Sequence, residues 1–271
     1  MDIFQAMVLG IVQGVTEFAP ISSSGHLVIV PWVLGWNPPG LAFDTVLHLG
    51  TLVAVLGVFW GDVIELSKIW LRSFSRGGGA DPRATTAWAI LVGTLPAALA
   101  GYFLEGLFER LFLAPLVVGV FLLVTALALV SGEFLSRRRP IRLGAPDLTG
   151  GLLVGLAQAF AVAPGISRSG ATISMGIALG LSREDSARFS FLLSIPIILG
   201  ASISQIRDIA QAGGLDTQGT PLIVGFLAAT ISGYLCINFF LSFLRRRSLF
   251  AFSAYCFLFG LGTIAVWLVR G

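Results

Sequence analysis

QGVTEFAPISSSGH, residues 13–26, interrupts an apolar run that extends from about residue 3 to 35. Gln13 and Glu17 are four apart, so a helix places them on one face. Pro20 ends that helix, Ser22, Ser23 and Ser24 form a turn, and Gly25 and His26 open a second half-helix. Each half is too short to cross a bilayer core, which takes roughly 20 helical residues. Broken backbone at membrane depth is tolerated only where protein or a cavity covers it. The run is therefore expected to be a re-entrant helical hairpin. A second run, about 148–180, is broken by Pro164, Gly165 and the Ser167-Arg168-Ser169 cluster, and is read the same way.

Outward from these segments the chain is almost all apolar. It has 271 residues, 56% hydrophobic and only 11% charged. A soluble domain carries roughly 25% charged residues, so lipid must be the solvent here. Six stretches are long enough to span, at about 43–61, 85–105, 115–135, 185–207, 220–244 and 249–269. The fold class expected is an all-α integral membrane protein, one membrane domain over residues 1–271. The net charge of +3 rests on basic residues in short connections, which is no nucleic-acid signal. Cys236 and Cys256 lie in apolar stretches and read as small buried hydrophobes. The N-terminus, MDIFQAMVLG, lacks the basic start of a cleavable signal peptide.

Lys and Arg set an orientation. Lys68, Arg72, Arg76 and Arg83 follow the first span; Arg137, Arg138, Arg139 and Arg142 follow the third; Arg245, Arg246 and Arg247 follow the fifth. With Arg183 and Arg188 they crowd one side, while Arg110, Arg207 and Arg270 fall on the other. The crowded side is expected to be cytoplasmic. The segment RSFSRGGGADPR, 72–83, reads as a solvated connector on that side.

The two broken segments resemble each other. Shifted by 145 residues, Gly10, Gln13, Ile21, Ser22, Ser24 and Gly25 fall on Gly155, Gln158, Ile166, Ser167, Ser169 and Gly170. Each half, 1–142 and 143–271, is then one hairpin plus three spans. Three is odd, so the second half is expected to lie upside down, as an inverted-topology repeat with its broken segments facing each other at the midplane.

Both segments hold what an anion needs. A half-helix that starts at the turn points unpaired amides at it. Arg168 adds a planar charged fork suited to phosphate oxygens. Glu17 and His26 are ionisable groups at membrane depth, functional by default, although Glu17 could simply pair with Arg168 and His26 could be a buried neutral ring. Ser24 and Ser169 sit at expected N-cap positions, so capping and ligand contact weigh equally there. Ser22 and Ser23 favour chemistry, and Thr172 contact with the site. Asp44 and His48, also four apart, read as an interfacial pair, and Gln205 and Asn238 as hydrogen bonders between helices.

QGVTEFAPISSSGH (13–26) resembles the E/Q-x-x-x-E motif and Ser-rich turn of the undecaprenyl-diphosphate phosphatases of the bacitracin-resistance type, and PGISRSGAT (164–172) resembles that family's P-G-x-S-R-S-x-x-T motif. The resemblance covers the whole chain. It implies hydrolysis of undecaprenyl diphosphate to the monophosphate and inorganic phosphate, recycling a lipid carrier for cell-wall synthesis and conferring bacitracin resistance. It implies a divalent cation, Mg²⁺ or Ca²⁺, and a bacterial inner-membrane site open to the outer side. Carried over by motif, Glu17, Ser23, His26 and Arg168 are catalytic. Ser22, Ser24, Ser167, Ser169, Thr172, Gly25 and Gly170 hold substrate. Glu17 and Gln13 hold the metal, Gln13 standing where relatives often have Glu. Either Ser23 or His26 could be the nucleophile. The partners expected are the polyprenyl substrate and membrane lipid, not nucleic acid, with a homodimer allowed. Broken helices in a repeat are also the build of secondary transporters, so a carrier or flippase of an anionic polyprenyl lipid is the competing class.

Overall fold

The computed structural model describes residues 1–75, 81–104, 106, 111, 114–137, 140–211 and 219–270. Ten helices make up the fold among them: α1 (Ile3–Phe18), α2 (Ser23–Leu34), α3 (Leu41–Ser73), α4 (Pro82–Phe103), α5 (Pro115–Ser136), α6 (Leu148–Phe160), α7 (Arg168–Ala178), α8 (Arg183–Gln211), α9 (Gly219–Leu244) and α10 (Phe250–Arg270). Six of these are long and apolar enough to cross a membrane; α1, α2, α6 and α7 are not. The chain is an all-α, multi-pass membrane protein. Its order is two short helices and three long ones, then the same again.

Local chemistry explains the starts and stops. Asp2 caps α1 in a reciprocal capping box with Gln5. Asp147 caps α6 by accepting from the Gly150 amide at 2.7 Å. Pro82 and Pro115 open α4 and α5, where a missing amide hydrogen costs nothing. The α3 helix outruns its span: it bends at Phe59 (φ −105°, ψ 20°) and continues to Ser73. Lys68 and Arg72, expected in a loop, are therefore on a helix. Arg76, Arg110, Arg138 and Arg139, and residues 76–80 of the connector, lie outside the described residues.

Small residues let the helices meet. In lipid, close packing replaces the hydrophobic drive between helices. α1 packs on α9, where a Cβ on Gly10 would fall 2.5 Å from the Gly225 carbonyl oxygen. α6 packs on α4, where Gly151 meets Ala89 and Gly155 meets Gly93. α5 crosses α10 at Gly119 and Gly260. Thus α1 is held mainly by a helix far along the chain, and α6 by one before it.

Ion pairs gather the basic end. Glu133 on α5, 1% exposed, accepts two bonds from Arg183 of α8 (2.8 and 2.6 Å) and one from the Leu249 amide before α10 (2.8 Å). Arg245, just after α9, reaches Glu184 of α8 at 2.8 Å, and Arg188 of α8 reaches Asp62 of α3 at 3.0 Å. At the opposite end Arg270 donates to the Trp32 and Val33 carbonyls, closing the last turn of α2. Gln205 bridges helices as expected, accepting from Thr45 at 3.0 Å. Asn238 does not: it donates within its own helix to the Tyr234 carbonyl.

Candidate active site

The turns after α1 and α6 touch each other. Gly25 lies against Gly165, and the Ser169 hydroxyl donates across to the Ala19 carbonyl at 3.1 Å. The two tips are capped alike. Ser22 accepts from the Gly25 amide at 3.2 Å, and Ser167 accepts from the Gly170 amide at 3.0 Å. The caps are Ser22 and Ser167, not Ser24 and Ser169 as the sequence suggested. The glycine three residues on is required by this geometry: a Cβ on Gly170 would stand 2.9 Å from the Ser167 Cβ. With Gly25, Gly170, His26 and Ala171 amides satisfied by the caps, the amides of Ser23, Ser24, Arg168 and Ser169 are the ones a helix start leaves without a helical carbonyl.

Glu17 joins the two tips. Its Oε1 accepts from Arg168 at 2.8 Å, and its Oε2 accepts from Ser23 at 2.5 Å and from Gln13 at 3.1 Å. Glu17 is 7% exposed and Arg168 14%, so the pair is largely withdrawn from solvent. A buried ion pair is stable only with further hydrogen bonds. Here Ser23 and Gln13 supply them to the carboxylate, and the Ser190 carbonyl accepts from the other arm of Arg168 at 3.2 Å. Thr172 is turned inward, 2.7 Å from the Ser190 hydroxyl and donating to the Arg168 carbonyl at 2.8 Å. Ser22, Ser167, Ser169 and Thr172 are all buried, their hydroxyls used within the protein. Ser23 and Ser24 are partly exposed.

The imidazole next to Glu17 is His48, not His26. His48 Nε2 lies 3.9 Å from Glu17 Oε2, and its Nδ1 donates to the Asp44 carbonyl at 2.9 Å. The expected Asp44–His48 pairing runs through backbone, and His48 faces the site. His26 is engaged elsewhere, by Ser22 and Tyr255. Thr125, Ser190, His48 and Tyr255 are the site neighbours that the motifs did not include. Each lies outside both motifs on a long helix, and only the packing of that helix shows where it points.

Oxygen donors for a hard cation are present. Gln13 Oε1 is buried with no partner, beside the Glu17 carboxylate to which its own Nε2 donates. Among the described residues no three His, Cys, Asp or Glu side chains cluster to hold a metal by themselves. A set of one carboxylate and one amide oxygen fits an ion whose remaining ligands are phosphate and water.

The family model described as bacitracin resistance protein BacA matches residues 6–262. The chain belongs to this family. It is 45% identical over 281 residues to an undecaprenyl-diphosphatase of Methanosphaera stadtmanae, with 99% of each chain covered. It is 43% identical over 272 residues to that of Pelotomaculum thermopropionicum (100% of this chain, 98% of the relative). It is 42% identical over 273 residues to that of Thermomicrobium roseum, with 98% of each covered. The BacA match spans both hairpins, so the contact between Glu17 and Arg168 falls wholly inside it.

Proposed function

We propose that this chain hydrolyses undecaprenyl diphosphate to undecaprenyl phosphate and inorganic phosphate, with Ser23 as nucleophile. The product is a lipid carrier that cell-wall synthesis reuses, and removal of the diphosphate confers resistance to bacitracin. The observation that carries the reading is the chain from Ser23 Oγ to Glu17 to Arg168, which crosses from one tip to the other. It puts a hydroxyl, its proton acceptor and a phosphate clamp in one line of contact.

In this reading the terminal phosphate sits on Arg168 and on the amides of Ser23, Ser24, Arg168 and Ser169, while the polyprenyl tail stays in lipid. The Ser23 proton passes to Glu17 as the Oγ–P bond forms. The bond from that phosphorus to the bridging oxygen breaks, and the polyprenyl monophosphate leaves. Glu17 then gives its proton to solvent. Water attacks the phosphoserine; one of its protons returns to Ser23 through Glu17, the other stays on the departing phosphate. One proton is released net, as the charges of the diphosphate and its two products require. His26 takes no part in the transfer, because both its ring nitrogens are already bonded. Ser22, Ser167, Ser169 and Thr172 shape the tips. Gln13 and Glu17 would hold a Mg²⁺ or Ca²⁺ ion, which supplies charge neutralisation for the diphosphate.

Two further parts belong to this proposal. The site opens to the outer side, supported by the crowd of Lys and Arg at the other end. Residues 1–142 and 143–271 form an inverted-topology repeat, supported by the repeated helix order and by the exchange of partners, α1 on α9 and α6 on α4.

The test is phosphate release from a polyprenyl diphosphate by purified protein in detergent, with Glu17→Ala as control. Release is expected for the native chain, lost by about a thousandfold in the control. Chelation should stop it and Mg²⁺ restore it. Acid-stable phosphate trapped on Ser23 is expected; acid-labile phosphate on His26 would overturn the serine route. No release, with lipid translocation intact in vesicles, would overturn the hydrolase reading in favour of a carrier.

A further inference from the structure

His26 is buried at 4% exposure. Its Nδ1 lies 2.7 Å from the Ser22 carbonyl oxygen. A carbonyl can only accept, so Nδ1 carries the hydrogen. Nε2 of the neutral ring then has only its lone pair, and the Tyr255 hydroxyl, 2.7 Å away on α10, donates to it. The rings of Phe259 and Tyr255 stack on the imidazole, with centroids at 4.6 and 5.7 Å.

What this assembly holds is a strained turn. Among the described residues Ser22 is the one non-glycine with positive φ, at 71°. Such a conformation persists only where neighbours over-determine it. The Ser22 carbonyl accepts from both the His26 amide (3.2 Å) and the His26 ring. The peptide it belongs to leads directly into Ser23. We infer that Tyr255 is a positioning residue: through the His26 ring it locks the Ser22–Ser23 peptide and so aims the Ser23 hydroxyl at Glu17. This rests on the reading of Ser23 as the nucleophile. It makes the motif histidine a strut, and it makes the last helix of the chain part of the first hairpin's active geometry.

Two measurements test it. In Tyr255→Phe, which keeps the stack and loses the hydroxyl, kcat for phosphate release is expected to fall about three- to tenfold with KM changed less than about twofold. In a His26→Ala background the same change should cost less than about twofold, because Tyr255 acts only through the ring. Native kcat in Tyr255→Phe, or an equal loss in both backgrounds, overturns the inference. The second readout needs no turnover. The chain has two histidines, so ¹⁵N-histidine NMR of His48→Gln protein in micelles reports His26 alone. An Nδ1–H tautomer whose Nε2 resonance moves in the additional presence of Tyr255→Phe is expected. An Nε2–H tautomer, or an unmoved resonance, overturns the clamp itself. The expected tautomer with no phosphate release by native protein overturns instead the hydrolase reading, and the positioning role with it.

Discussion

At the first tip the cap serine, Ser22, stands at φ 71°; at the second its counterpart, Ser167, stands at an ordinary φ of −70°. Both accept from the amide of the glycine three residues on. The strained copy is gripped from α10 by a ring, through His26 and Tyr255. The relaxed copy is gripped from α5 by a hydroxyl: Thr125 donates to the Gly165 carbonyl at 2.9 Å and accepts from the Ser167 amide at 3.0 Å. One capping solution thus serves two purposes. Strain is concentrated at the tip whose Ser23 hydroxyl meets the Glu17 carboxylate, and the tip that carries Arg168 is built without it.

That contrast can be broken in graded steps. The largest expected effect is at the gripping tip. Arg168→Lys keeps the charge but not the fork that spans Glu17 and the Ser190 carbonyl, so kcat/KM should fall by about a hundredfold. Near-native turnover would refute the clamp. Next is the relaxed tip's own anchor. Thr125→Val leaves a buried carbonyl and a buried amide unpaired and should cost about 1–3 kcal/mol, read as a lower Tm in detergent. An unchanged Tm would mean the second tip does not depend on α5. Smallest is the contact between the tips. Ser169→Ala removes the bond to the Ala19 carbonyl and the contact with the Ser167 hydroxyl, and should cost roughly 1–2 kcal/mol, with phosphate release little altered in the surviving protein. A large activity loss there would instead place Ser169 on the substrate.

Much of this frame is readable from residues alone, because Pro, Gly and Ser clusters inside apolar runs are strong local signals. The hairpin ends at Phe18, Leu34, Phe160 and Ala178 fall where those clusters and run lengths put them. The meeting of Glu17 with Arg168 was a stated alternative for Glu17, and the geometry makes it the centre. The caps were misplaced by two residues. The sequence offers several serines in a row, and only packing shows that Ser22 folds over Gly25. A buried neutral ring was a stated alternative for His26, but its partner was not legible: Tyr255 lies 229 residues away on another helix. His48 was visible as a neighbour of Asp44, but which face of α3 looks at Glu17 depends on how α1 lies across it.

The seat of α1 on α9 also bears on how the molecule is made. A ribosome delivers α1 and α2 well before the glycine-lined surface that receives α1, which includes Gly225 and Ala229. Until Arg168 follows, Glu17 has no counter-ion, and until α9 follows, α1 lacks its main seat. The first hairpin is therefore translated before α9 and completed only after it. A half-built chain holds a carboxylate with no counter-ion, a transient species that quality-control proteases of the membrane would meet before the finished enzyme exists.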